Sequence, residues 1–115
     1  MHHHHRIDYL EFAVRDLAAS ERFYAAAFGW QFTDYGPAYA GIQGVDREVG
    51  GMHESASVQP GGPLVILYSE GLEQSLAAVR AAGGVIVKEP YVFPGGRRFE
   101  FTDPSGHRLA VWSET

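Results

Sequence analysis

The sequence predicts an α+β domain made of two βαβββ modules. Three observations support this fold class. A strand-then-helix pattern occurs twice, and the same separation of 54 residues relates Leu10 to Leu64 and Gly29 to Gly83. Each helix pattern ends at a glycine, the residue that takes the left-handed conformation most easily. Two alternating apolar runs around a turn follow near the C-terminus. A repeat of this length is typical of a duplicated supersecondary unit.

The first module begins with an alternating apolar pattern in residues 7–14, which predicts a strand with Leu10, Phe12 and Val14 on one face. Asp16 is a suitable N-cap for a helix, because its carboxylate can accept a hydrogen bond from a free backbone amide. The elements that follow are a helix over Leu17–Phe28 ended by Gly29, a strand beginning at Trp30 and Phe32, and strands over Tyr39–Gln43 and residues 48–53.

A linker rich in serine, proline and glycine, residues 55–62, precedes the second module. In the strand after it, Leu64, Ile66 and Tyr68 give one apolar face. The remaining elements repeat the first module: Glu70 in the place of the N-cap, a helix over residues 72–82, Gly83 and Gly84 at its end, and a strand from Val85.

Residues 99–112 predict a β-hairpin that ends the second module. Pro104 fixes φ for a turn, Gly106 can take a positive φ, and Asp103 can accept hydrogen bonds from the amides of the turn. Alternating apolar residues flank the turn on both sides, and they are Phe99, Phe101, Leu109 and Val111.

The composition restricts the class of protein. A chain of 115 residues suits one domain with one core. Its net charge of −5 gives no reason to expect nucleic acid or an anionic membrane as partner. We find no apolar run long enough to span a bilayer and no signal-peptide pattern. Cysteine is absent, which excludes disulfides and thiol catalysis, and we expect a cytoplasmic protein.

The four histidines in residues 2–5 resemble an affinity tag, so residues 1–6 are interpreted as a tag remnant with the N-terminal residues. A native metal-binding tract is the alternative. The predicted single domain then covers residues 7–115. It contains modules 7–54 and 63–113, joined by the linker 55–62.

Three stretches resemble the vicinal oxygen chelate superfamily, the group of glyoxalases, bleomycin resistance proteins and extradiol dioxygenases. They read L-E-F-A-V-R-D-L-A-A-S-E-R-F-Y-A-A-A-F-G-W, A-A-V-R-A-A-G-G and F-T-D-P-S-G-H-R-L-A-V-W. The chain looks most like the short glyoxalase-like members. The resemblance implies a partly open eight-stranded barrel around a cavity that binds a small organic molecule, usually within a homodimer.

The resemblance also implies positions for a divalent metal, which family enzymes use as a Lewis acid. They fall on Tyr9, Pro63 and Ala110, and the position near residues 50–52 offers no ligand. Proline and alanine side chains have no donor atom, and tyrosine is an uncommon ligand. We therefore predict that no metal or other cofactor occupies the family's position; a divalent metal at a displaced site is the alternative.

Glu11 and Tyr9 are the catalytic candidates and also ligand-binding candidates, because both face inward from the first strand. Glu11 would be a general base if it were buried, and a solvated carboxylate or arginine partner if it were not. His53, beside the Gly50–Gly51 strand, is either a ligand or base, or an exposed side chain, which we favour.

Arg108 and Trp112 share the strand parity of Ala110, so both should face the cavity and suit an anionic or planar ligand. Core packing and a surface ion pair are the alternative roles. Tyr39 and Glu100 are further ligand-binding candidates whose facing the sequence leaves open. Residues 94–98 are either a mobile loop beside the cavity or a hairpin turn.

Two functions follow from these residues. The first is a dimeric, metal-independent protein that binds a small organic molecule, as bleomycin resistance proteins do. The second is a lyase, isomerase or dioxygenase that uses a displaced metal or the Glu11/Tyr9 acid–base pair. The missing metal ligands favour the first. The third hypothesis is that side chains fill the cavity and that the protein has no small-molecule role.

Overall fold

Two four-stranded sheets, each with one helix, form the structure, a computed structural model that describes residues 2–115. Met1, part of the predicted tag remnant, lies outside the described residues. The first module contains β1 (Leu10–Val14), α1 (Leu17–Phe28), β2 (Phe32–Asp34), β3 (Tyr39–Gln43) and β4 (Glu48–Glu54). The second contains β5 (Val65–Tyr68), α2 (Leu72–Ala81), β6 (Val85–Phe93), β7 (Gly96–Thr102) and β8 (Arg108–Ser113).

The two sheets have the same topology, with strand orders β1-β4-β3-β2 and β5-β8-β7-β6. In each sheet the first strand pairs in parallel with the last, and the other pairs are antiparallel. The sheets do not close into a barrel. The predicted α+β fold of two βαβββ modules, partly open, is therefore confirmed.

The predicted helix ends are confirmed in the first module and only in part in the second. Asp16 caps α1, since its carboxylate accepts a hydrogen bond of 3.0 Å from the amide of Ala19. Glu70 does not cap α2, because the helix begins one residue later than the repeat implies and its N-cap is Gly71. Neither helix in residues 2–115 is long and apolar enough to cross a membrane.

The core lies where both helices pack on the inner faces of the sheets. The rings of Phe23 and Phe28 on α1 pack against Phe101 of β7, and Phe99 and Phe101 are fully buried there. The β5 strand differs from the predicted pattern. Its packed residues are Val65 and Leu67, whereas the apolar face of Leu64, Ile66 and Tyr68 is exposed.

The turn that joins β7 to β8 also fastens the second module to the first. Asp103 accepts hydrogen bonds from the amides of Ser105 and His107 and a 2.7 Å hydrogen bond from the Tyr24 hydroxyl group. Arg15 donates to the carbonyl of Ser105 at 2.7 Å, and His107 Nε2 lies 2.6 Å from the carbonyl oxygen of Ala13. The predicted hairpin is confirmed, and its turn holds β1 beside β8.

Candidate functional site

The face of the first sheet that points away from the core has a floor of two glycines. Gly41 and Gly51 are paired in register across β3 and β4. A methyl group at Gly51 would overlap the Tyr39 hydroxyl group, and one at Gly41 would overlap the carboxylate of Glu48. The glycines therefore allow large polar side chains to lie flat on the sheet.

Three tyrosines and two glutamates form a hydrogen-bonded chain on this floor. Tyr39 donates to Glu11 at 2.9 Å, and Tyr9 donates to Glu48 at 2.9 Å. The hydroxyl groups of Tyr9 and Tyr39 lie 2.9 Å apart, and Tyr35 donates to Glu48 at 2.7 Å. We call these five residues the tyrosine–glutamate chain. Tyr39 thus links Glu11 to Tyr9 by hydrogen bonds.

The phenols of the chain stay protonated at neutral pH. Partial burial, followed by the hydrogen bonds to Tyr39 and Glu48, raises the pKa of Tyr9 far above its ordinary value. Burial also raises the pKa of Tyr39, and the hydrogen bond to Glu48 raises that of Tyr35. A phenol with a raised pKa is a poor metal ligand and a poor general base, because both roles need the phenolate.

A second polar group lies on the second sheet, around the nearly buried carboxylate of Glu100. Arg108 donates through Nε at 2.8 Å and places Nη2 2.7 Å from the same oxygen, Oε1. Tyr91 donates to the other oxygen at 2.6 Å. These contacts, led by the Tyr91 hydrogen bond, hold the pKa of Glu100 below its ordinary value despite the cost of burial. Glu100 is therefore an ionised carboxylate that holds Tyr91 and Arg108 in place.

A cleft of about 610 Å³ lies between β1 and the β7–β8 hairpin and brings residues of both modules together. Glu11 forms part of one wall, and Glu100 and Arg108 form part of the other. The linker closes one side, and the remaining surface is largely apolar. Lining residues of that surface are Leu10, Phe12, Pro60, Pro63, Leu64 and Val65.

The other candidates lie outside this cleft. Tyr9 and Tyr39 reach it only through Glu11. His53 is half-exposed, with Nε2 4.0 Å from Glu11 Oε1. Trp112 packs against Tyr68 and Phe93 and lines a smaller depression of about 390 Å³. Residues 94–98 include the hairpin turn between β6 and β7, in which Phe93 pairs with Gly96.

Glu11 is not the buried carboxylate that the general-base hypothesis requires. Its side chain is 52% exposed. A tyrosine, not an arginine, is its hydrogen-bond donor. Arg108 makes the ion pair that was the alternative role for that residue, and its side chain remains 53% exposed within the cleft.

Sequence reasoning missed four polar residues of this region: Tyr35, Glu48, Tyr91 and Arg98. Glu48 reaches the outer face because a β-bulge shifts the register between Ile42 and Gln43. Bulges in β6 likewise bring Tyr91 beside Arg98. Strand alternation cannot reveal either contact. The adjacent glycines of β4, Gly50 and Gly51, were the available signal, because a strand without side chains at these positions leaves room for large side chains to lie over it.

The donor set at the family's metal positions does not fit a divalent ion. Pro63 and Ala110 have no donor atom, Ala110 is fully buried, and the phenol of Tyr9 is engaged with Glu48. Across residues 2–115, no group of three or more histidine, aspartate or glutamate side chains is arranged to hold a metal ion. The structure supports no reaction step through a metal at these positions.

The sequence matches the family model of the glyoxalase/bleomycin resistance protein/dioxygenase superfamily over residues 6–111. No protein of curated function matches it significantly. A glyoxalase-related enzyme from Fulvimarina pelagi has a similar structure, with a TM-score of 0.81 at 21% identity over 95% of this chain and 88% of that one.

Two further solved structures share the fold. A glyoxalase/bleomycin resistance protein/dioxygenase family enzyme from Burkholderia phytofirmans gives a TM-score of 0.82 at 17% identity, over 95% of this chain and 98% of that one. A fosfomycin resistance protein from Mesorhizobium loti gives 0.78 at 16% identity, over 96% and 93%. At these identities the likeness concerns the fold alone.

Proposed function

The chain belongs to the glyoxalase/bleomycin resistance protein/dioxygenase superfamily, and we propose that it binds a small organic molecule in the cleft between β1 and the β7–β8 hairpin. One observation carries the proposal. The cleft combines a volume of about 610 Å³ with an apolar surface and a few charged groups that converge from both modules. Pockets of this size and composition are typical of small-molecule sites.

We further propose that binding needs no divalent metal at the family's position. The raised pKa of Tyr9 and the absence of donor atoms on Pro63 and Ala110 support this. Ligand affinity would then come from apolar contact and from the charges of Glu11 and Arg108. The enzyme hypothesis, with a displaced metal or the Glu11/Tyr9 pair, has less support, because Glu11 is half-exposed and its hydrogen-bond donor is Tyr39, not Tyr9.

A homodimer is part of the proposal. The outer face of the second sheet exposes two large apolar side chains of β5 that lie outside the cleft, namely Ile66 and Tyr68. A second copy that covered this face would remove apolar surface from water, at roughly 25 cal/mol per Å². Trp112 and Phe93 in the adjacent depression extend the same face.

A screen of small organic molecules by thermal shift and ligand-observed NMR tests the proposal, with bleomycin and fosfomycin among the probes. Leu64→Trp places a large ring in the cleft, whereas Val92→Trp makes a similar change on the exposed part of β6. We expect compounds that stabilise the parent and Val92→Trp proteins but not Leu64→Trp. The proposal is wrong if no compound binds, or if Leu64→Trp binds all of them equally.

A further inference from the structure

The two walls of the cleft carry charges of opposite sign, negative on the β1 side and positive on the side of the second sheet. Glu11 lines the β1 wall and Glu48 lies behind it in the tyrosine–glutamate chain, and both carboxylates accept hydrogen bonds from neutral phenols. Within residues 2–115, the imidazole of His53 is the only basic side chain within 4.0 Å of the Glu11 carboxylate. The nearby Arg47 lies 3.9 Å from the carboxylate of Asp8 and donates to backbone carbonyls. The wall therefore keeps a net negative charge.

The opposite wall has an excess of positive charge. Arg108 lines the wall itself and lies 2.7 Å from Glu100. Arg98, 3.9 Å from Glu100, and Lys88, whose ammonium lies 4.5 Å from the centre of the Tyr91 ring, lie behind this wall. Three cations thus act on one carboxylate. Arg108 contacts Glu100 through Nε and Nη2, which leaves Nη1 outside that pair. A guanidinium group held in this way can still bind a second anion.

The tyrosine–glutamate chain is short of one hydrogen-bond donor. The oxygens of Glu48, Tyr9, Tyr39 and Glu11 make three consecutive contacts of 2.9 Å. Two phenols supply only two protons for these three contacts. When Tyr39 donates to Tyr9, Glu11 loses its phenol donor, whereas Glu48 keeps the hydrogen bond from Tyr35 in either arrangement. An N–H group of a ligand at Glu11 would supply the missing hydrogen bond.

Apolar surface separates the two charged walls. Leu10 and Phe12 of β1 line the cleft beside Glu11, and Leu64 and Val65 line it beside the second sheet. This surface cannot satisfy a charge, so a charged group in the cleft is favourable only at its walls. A short hydrocarbon segment, in contrast, gains by leaving water there.

Resting on the proposed function, we infer that the ligand is dipolar, with an ammonium group at one end and a carboxylate or similar anion at the other. The ammonium binds Glu11 and completes the tyrosine–glutamate chain. The anion binds the outer edge of Arg108. The hydrocarbon between them lies on the apolar surface. A molecule with a single charge gains at one wall and leaves the other wall unpaired.

A series of ω-amino acids from γ-aminobutyrate to ε-aminocaproate tests this inference by isothermal titration calorimetry on the whole chain. The series varies the separation of the two charges while it keeps the chemistry constant. Caproate and hexylamine match the longest member, and each lacks one charge. We expect one ω-amino acid to bind about fivefold more tightly than either singly charged control, the equivalent of the one partly exposed ion pair that each control lacks.

Two variants assign the ends of the ligand. Glu11→Gln should weaken binding of the ω-amino acid about fivefold and leave the binding of caproate unchanged. Arg108→Gln should also weaken binding of the ω-amino acid about fivefold, and it should leave the binding of hexylamine unchanged. Asp46→Asn and Arg22→Gln remove the same charges from exposed positions in the β3–β4 turn and on α1, and should have no effect. Both site side chains are about half-exposed, but Arg108 also pairs with the buried Glu100, so circular dichroism and urea denaturation check that both variants fold.

The outcomes separate this inference from the proposed function. If caproate or hexylamine binds as tightly as every ω-amino acid, the dipolar ligand is wrong while a small-molecule site remains. The dipolar ligand is also wrong if no member of the series binds, although the screen yields compounds that bind the parent protein and not Leu64→Trp. If nothing binds, and Glu11→Gln and Arg108→Gln each split a dimer, a second copy occupies the cleft and both proposals fail.

Discussion

The hydroxyl group of Tyr24 on α1 donates a 2.7 Å hydrogen bond to the carboxylate of Asp103, 79 residues away in the turn of the last hairpin. Both side chains are buried, at 1% and 6% exposure. The same carboxylate also accepts two amide hydrogen bonds inside its turn. One side chain therefore shapes the turn of the β7–β8 hairpin and fixes that hairpin to the first module.

Tyr24→Phe should lower the free energy of unfolding by about 1–3 kcal/mol, because it leaves a buried carboxylate oxygen without its partner. Urea denaturation at neutral pH measures the change. Tyr68→Phe is the matched control, since the Tyr68 hydroxyl group donates to Glu114 at an exposed position. It should change stability by less than about 0.5 kcal/mol. Equal effects of the two substitutions would contradict the role given to Asp103.

The sequence was sufficient for the features that depend on local chemistry. The Asp16 cap, Gly29 at the end of α1 and the turn from Asp103 to Gly106 each satisfy backbone groups within a few residues, so a short pattern is enough. The 54-residue repeat predicted the topology of the second module from that of the first. The repeat was wrong about the N-cap of α2, because the helix begins one residue later and Gly71, not Glu70, is the N-cap.

The site was less predictable, because its contacts cross strands whose register depends on bulges. Strand alternation relates Gly51 to His53, but it places Glu48, three residues from Gly51, on the opposite face. The bulge beside Gln43 reverses this and brings Glu48 over Gly41. Similarly, only the pairing of Glu100 with Ala110 shows that this carboxylate shares a face with the candidate cavity residues of β8.

Gly51→Ala should disturb the tyrosine–glutamate chain more than the fold. The three atoms nearest to the added methyl group all belong to the ends of the Tyr39 and Tyr9 side chains, which can move. We expect a stability loss near the lower end of the roughly 1–3 kcal/mol typical of overpacking. In a Tyr39→Ala background the same substitution should cost less. A strictly additive double-mutant cycle would show that the two side chains do not compete for this space.

Glu48→Gln should lower the pKa of Tyr35 towards its ordinary value. The carboxylate of Glu48 accepts the phenol's hydrogen bond and stabilises its protonated form, and this is the largest cause of the raised pKa. A neutral amide stabilises that form less. Ultraviolet absorbance during alkaline titration measures the phenolate. Asp46→Asn removes an equal charge outside the chain and should leave the titration unchanged; the prediction fails if the two variants titrate alike.

Glu100→Gln should destabilise the protein at neutral pH and have little effect in acid. The folded state lowers the pKa of Glu100, so the stabilisation by this carboxylate is present above its unfolded pKa and is lost as the pH falls through the folded one. At neutral pH we expect a loss of roughly 1.5–3 kcal/mol, as for hydrogen bonds to a charged group.

Urea denaturation at neutral pH and at pH values below the ordinary glutamate pKa measures this difference. Glu89→Gln is the control, because its ion pair with Arg80 is exposed and should contribute less than about 1 kcal/mol. A cost of Glu100→Gln that is independent of pH would mean that the side chain acts by shape and not by charge.

The chain freed of its four N-terminal histidines should not retain a tightly bound divalent metal. A tight site needs several donor atoms converging at about 2.0–2.5 Å. Pro63 and Ala110 supply none, and Tyr9 would have to lose a proton that its surroundings hold strongly. Elemental analysis of protein lacking residues 2–5 measures the metal content, since those histidines bind metal themselves. One ion per chain, lost on Glu11→Gln or His53→Ala, would instead locate a displaced metal site on the β1 wall and favour the enzyme reading.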